Sequence, residues 1–198
     1  MSKMVAAAWP DQSNSGGLTD DFGAVLGRAQ EGEGAAFETL YRVFQPPLLR
    51  YLHTRSTAAE DIASETWLAI ISDLGGFSGD EPAFRAWIFA IGRHRAIDAG
   101  RYSARRPVTL VGENTELFDE SSPAASDAAL EHLGTAAAVE LVAALPPDQA
   151  EAVALRFIAD LDVATVAKMM GRRPGAVRVL THRGLRTLAD RLGSGGEV

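Results

Sequence analysis

Apolar residues in the first half of the chain fall three and four apart, in runs long enough for helices and with no strand-like alternation competing. Phe37, Leu40, Tyr41, Phe44, Leu48, Leu49 and Leu52 form one series, crossed by Pro46 and Pro47, whose missing N–H groups predict a kink or restart. A second helix is predicted from near Ala58, carrying Ile62, Trp67, Leu68, Ile70 and Ile71, with Gly75 and Gly76 to end it. A loop from Phe77 to Pro82 leads into a third, from Ala83 to about Tyr102, whose core face is Trp87, Ile88, Ile91 and Ile97. This unit is expected to be all α.

Three further amphipathic helices and one tight turn are expected between Leu145 and Leu192. Pro146 and Pro147 suit a helix start, and Ala150, Val153, Ala154 and Phe157 then recur at helical spacing. Val163 to Met170 predicts a short helix buried through Val166, Ala167 and Met170, closed by Gly171. Pro174 opens a helix running to about Arg191. The last helix should turn Val177, Thr181, Gly184, Leu185 and Leu188 inward, leaving Arg173, Arg178, His182, Arg183 and Arg186 near the opposite side. That pattern implies a helix-turn-helix DNA reader with cations for phosphates and base edges.

Charge placement strengthens this reading. The chain has 198 residues and a formal net charge of -7, yet from Lys168 to Arg191 the cations Lys168, Arg172, Arg173, Arg178, Arg183, Arg186 and Arg191 face Asp190 alone. DNA affinity follows local phosphate neutralisation, not total charge. A second basic stretch, Phe84 to Arg106, sets Arg85, Arg93, Arg95, Arg101, Arg105 and Arg106 against Asp98, interleaved with Phe84, Trp87, Phe89 and Tyr102, as a single-strand groove would be.

Composition bounds the rest. With 46% hydrophobic residues the chain can build two small helical domains. It has no cysteine, which excludes disulfides and thiolate metal sites and suits a cytoplasmic setting. No apolar run reaches the roughly 18 residues of a membrane span, and no secretory leader is evident. Residues 1–20 read as a flexible arm, 21–106 as the first domain, 107–135 as an acidic linker turning helical from about Ser126, 136–192 as the helix-turn-helix domain and 193–198 as a tail. The linker and the start of the next helix carry Glu113, Glu116, Asp119, Glu120, Asp127, Glu131 and Glu140 without a Lys or Arg.

Taken together, AFETLYRVFQPPLLRYL, EDIASETWLAII, FRAWIFAIGRHRAIDAGRYSARRP and LPPDQAEAVALRF resemble the bacterial extracytoplasmic-function (ECF) sigma factors of the sigma-70 family, from about Phe22 to Leu192. The resemblance implies a dissociable subunit that gives core RNA polymerase its promoter specificity, with no cofactor. It implies docking of Asp61, Ile62, Glu65, Thr66, Trp67 and Leu68 on the clamp coiled coil of the polymerase's largest subunit. Capture of the minus 10 strand is implied for the loop Leu74 to Phe84 and for Phe77, Phe84, Arg93, His94, Arg95, Arg101 and Arg105. Reading of the minus 35 element is implied for Arg172, Arg173, Arg178, His182, Arg183 and Arg186. The polymerase flap and an anti-sigma factor are further implied partners. The chain departs from the family at His94, where Asn is common, at Arg173, where a small hydroxyl residue usually caps the helix, and at Val179 and Leu180, where polar and basic residues are usual. An alternative reading is a helix-turn-helix regulator outside the polymerase. A hydrolase or metal enzyme finds no support, because His53, His94, His132 and His182 lack metal-ligand spacing and no GxSxG or phosphate-binding glycine loop occurs.

Overall fold

The structure is a computed structural model, described over residues 22–105 and 136–194, apart from the side chains of 102–105 and 193–194. The expected arm and acidic linker, the helical onset near Ser126 and the end of the tail lie outside the described residues. Those described form helices and short connections, without a strand.

In the first unit, α1 (Phe22–Gln30) buries Phe22, Val25, Leu26 and Ala29, the i, i+3, i+4, i+7 face of a short helix, against α2 (Gly34–His53). Pro46 and Pro47 neither end nor restart α2. Leu40 and Phe44 before them and Leu48, Tyr51 and Leu52 after them are all fully buried on one face, so the helical register is continuous across the prolines. Two successive missing donors cost less here than exposing that stripe would, since each fully buried large side chain contributes about 1.5–3 kcal/mol.

Helix α3 (Ala59–Asp73) ends in a tight turn, Leu74–Gly76. Of its expected apolar residues, Ile62, Trp67 and Ile70 are buried, whereas Leu68 and Ile71 are 68% and 54% exposed. The helix has one partner face, and Ile71 lies off it. Helix α4 (Glu81–Arg105) starts earlier than its apolar pattern suggests because the Asp80 carboxylate accepts from the Ala83 N–H at 2.8 Å, capping the first turn. At Gly92 a Cβ would lie 2.9 Å from Leu48 Cδ1, so this glycine lets α4 cross close to α2.

The second unit begins with α5 (136–143) and continues with α6 (Pro147–Val153), which runs into a wide turn at Ala154–Ile158. There the Ala159 N–H reaches the Ala154 carbonyl five residues back, at 3.0 Å. The widened turn corrects one expectation: Phe157 sits at helical spacing from Val153 and Ala154, yet it is rotated outward and 58% exposed. Helix α7 (Val163–Met170) has the predicted limits and ends at Gly171, in the left-handed conformation (φ 63°) that glycine adopts without strain. Helix α8 (Pro174–Ser194) packs on α6, where a Cβ on Gly184 would come within 2.7 Å of Val153 Cγ2. The buried residues of both units form one continuous cluster, with the wide turn after α6 seated on α2.

Candidate nucleic-acid and partner-binding surfaces

The turn that presents α8 is stabilised locally. Asp162 caps α7, one carboxylate oxygen accepting from the Ala164 and Thr165 N–H groups at 2.7 and 3.0 Å and the other from the Thr165 hydroxyl. Burial pushes its pKa up, but the bonds from Thr165 and Ala164 and the charge of Arg156 outweigh it and hold the carboxyl below its usual value. Arg156 donates to the Leu161 carbonyl and so ties the wide turn to the start of α7.

On α8, Val177 and Gly184 are buried and Thr181 and Leu188 half-buried, as the pattern predicts. Leu185 is the exception, 40% exposed at the edge of that face. Arg178, His182 and Arg186 are exposed and four apart, so they form one outward row, with Arg183 also exposed on its flank. Val179, exposed beside this row, makes the face part apolar. Arg173 is exposed at the start of the helix, while Arg172 donates to Asp148 at 2.7 Å, an exposed pair that phosphate can displace at little cost.

In the first unit the expected strand-reading residues separate into two groups. Phe84 is fully buried, in contact with the Phe22, Phe44, Phe77 and Trp87 rings, so it lies in the core beneath the loop and not on an exposed face. Phe77 is half-buried and stacked on Trp87, with centroids 5.0 Å apart and an interplanar angle of 27°. This pair is an aromatic platform at the loop. On α4, His94, Arg95 and Arg101 are exposed; Arg95 donates to Glu65 at 3.1 Å and Arg101 lies 3.5 Å from Asp98, both solvent-screened pairs. Arg105 closes α4.

Arg93 is different. Its Nε donates to Glu151 Oε1 at 2.5 Å, while Arg55 Nη1 stands 3.5 Å from Glu151 Oε2. One carboxylate from α6 thus engages a guanidinium from α4 and another just beyond α2. Beside it, burial and the Glu151 charge push the Tyr51 hydroxyl's pKa up. Neither Arg55 nor Glu151 stands out in sequence, since each is a single charge beside an apolar series and their meeting depends on how the units dock.

On α3, Asp61, Glu65 and Leu68 are exposed and share a face at i, i+4 and i+7. Ile62, Thr66 and Trp67, expected beside them, point inward. Trp67 donates to Gln45 Oε1 at 2.6 Å and packs on Phe37 and Tyr41, which corrects its place from a contact surface to the core behind one. Among the described residues there is no cluster of His, Asp or Glu able to hold a metal, and no helix long and apolar enough to cross a membrane.

Comparison with known proteins matches both units. Residues 40–106 fit the family model Sigma-70 region 2, and residues 135–188 the model Sigma-70, region 4. The ECF RNA polymerase sigma factor BldN of Streptomyces coelicolor is 38% identical over 166 residues, 82% of this chain but only 62% of BldN. ShbA, an ECF RNA polymerase sigma factor of Streptomyces griseus subsp. griseus, is 32% identical over 180 residues, covering 86% of this chain and 94% of ShbA. Among solved structures, CnrH in complex with the cytosolic domain of CnrY shares the fold, at 21% identity and a TM-score of 0.59 over 88% of this chain and 99% of CnrH.

Proposed function

Since the chain belongs to the ECF sigma factors of the sigma-70 family, we propose that it loads core RNA polymerase onto promoters by a division of labour between its surfaces. Helix α8 enters the major groove at the minus 35 element, with Arg178, His182, Arg183 and Arg186 at base edges and phosphates and Arg172 and Arg173 on the backbone. The loop after α3 and the exposed side of α4 take the opened minus 10 strand, with Phe77 and Trp87 as a stacking wall and His94 and Arg95 beside them. Neutral imidazole both donates and accepts, so His94 can read a base edge. Strand opening is driven by binding, and the chain supplies no catalytic group.

Asp61, Glu65 and Leu68 face the clamp coiled coil of the polymerase, where two carboxylates suit a basic partner. The second unit meets the flap, and the assembly works in the cytoplasm. An anti-sigma factor restrains it by covering these same faces. The observation that carries this reading is the presence, in one chain, of an exposed acidic-apolar face on α3 as well as basic faces on α4 and α8. A helix-turn-helix regulator needs only the last.

The test is transcription in vitro by core polymerase, with and without the chain, from templates randomised at both promoter elements. New start sites sharing two motifs are expected. Asp61→Arg with Glu65→Arg should abolish association with core polymerase and those transcripts while duplex binding persists. Duplex binding by the wild type without core association or new transcripts would instead make it a regulator.

A further inference from the structure

The loop that carries Phe77 is braced by a residue outside it. Gln30, the last residue of α1, uses its side-chain amide to span the turn, Nε2 donating to the Leu74 carbonyl at 2.9 Å and to the Phe77 carbonyl at 2.8 Å. An amide nitrogen has two N–H donors, and both are used. The acceptors sit at the two ends of the turn Leu74–Phe77, which its own backbone closes only by the Phe77 N–H on the Leu74 carbonyl, at 3.1 Å. Gln30 is part-buried and its target lies 44 and 47 residues away, so these bonds are a tertiary brace and not a local turn.

The rest of the loop has its own supports. The Phe77 ring is held by Trp87 and Phe84, and the far end by the Asp80 cap on α4. The buried Leu74 side chain and the Phe77 N–H bond hold one end of this turn, and Gln30 adds the tie between its two ends that sets the depth and tilt of the backbone from which the Phe77 ring projects. Without it the ring contacts remain, but the carbonyls of Leu74 and Phe77 lose a fixed anchor and the loop can shift over the stack. Selection at a strand-capturing site depends on such positioning, because about 1 Å of displacement weakens contacts with the right base and relaxes exclusion of the wrong one.

We propose that Gln30 is a positioning residue for promoter selection: from α1 it holds the Leu74–Phe77 turn in the geometry that discriminates among minus 10 bases. This rests on the reading of the loop as the minus 10 strand site. Gln30 touches no DNA in this account; it acts through Phe77.

The experiment uses the full chain with core polymerase on a template library randomised at the minus 10 and minus 35 elements, sequencing the transcribed templates. Gln30→Glu keeps the size but sets a carboxylate against two carbonyl oxygens. Gln30→Met keeps the length without donor or charge and serves if the Glu variant folds poorly. Both variants should reduce the preference for the best minus 10 base at the loop-read position by about tenfold while the minus 35 preference in the same library stays at the wild-type level. A thermally weakened protein would lose both preferences together. Unchanged discrimination at both elements, or equal loss at both, overturns the proposal. If the wild type enriches no minus 10 motif, the reading of the loop itself fails, an outcome distinct from a wild-type motif that the variants keep.

Discussion

Replacing Glu151 with Gln removes one negative charge and almost no volume from the contact between the two units. Its carboxylate is 9% exposed and faces Arg93 at 2.5 Å and Arg55 at 3.5 Å, one oxygen to each. Removing one member of a buried ion pair commonly costs about 3–5 kcal/mol, because the remaining charge is left desolvated. Here the arginine side chains keep 21% and 23% of their exposure, so water recovers part of that loss, and a Gln oxygen still accepts one bond. The expected cost is about 2 kcal/mol, a change of roughly thirtyfold in the ratio of docked to separated units. Small-angle scattering of the free chain should show a larger radius of gyration for Glu151→Gln. A double-mutant cycle with Arg93→Met should give a coupling of at least about 1 kcal/mol in thermal or urea unfolding. A coupling near zero together with an unchanged radius would refute the claim that this charge cluster holds the units together.

Three other outcomes follow from the geometry. Asp162→Ala should cost about 1 kcal/mol at neutral pH through loss of the α7 cap. Because the native carboxyl is held below its ordinary value of 3.8, its stabilisation is complete above that value and lost as pH falls through the native pKa, so variant and wild-type stabilities should converge in acid. Gly184→Ala puts a Cβ 2.7 Å from Val153 Cγ2; overpacking of about 1–3 kcal/mol should exceed the roughly 1 kcal/mol gained in helix propensity, and Val153→Ala should relieve the clash in a melting comparison. Arg178→Ala and Arg183→Ala should each weaken binding to duplex bearing the enriched minus 35 motif and lower the salt slope by about 1, as read from titrations at several salt concentrations. Binding unchanged across salt would remove those residues from the interface.

Helix content, the turn at Gly171, the limits of α7 and the basic row on α8 were legible in the sequence, since each depends on local spacing, caps or charge within one helix. The likeness to ECF sigma factors was legible for the same reason: it is carried by contiguous segments. What the sequence could not settle is where an apolar residue points when its helix is covered by neighbours on one side only. Ile71 and Leu185 belong to their apolar series yet face outward, and Trp67 belongs to an expected partner surface yet turns inward. Phe157 was misplaced by a single wide turn, which carries its side chain off the regular helical period. The prolines of α2 show the opposite case, where burial on both sides overrides a local helix breaker. Gln30 with the Leu74–Phe77 turn, and Glu151 with Arg55 and Arg93, were decided only by tertiary structure. Their partners lie from 44 to 96 residues away in the chain, and no periodicity encodes which charge or carbonyl a neighbouring helix will present.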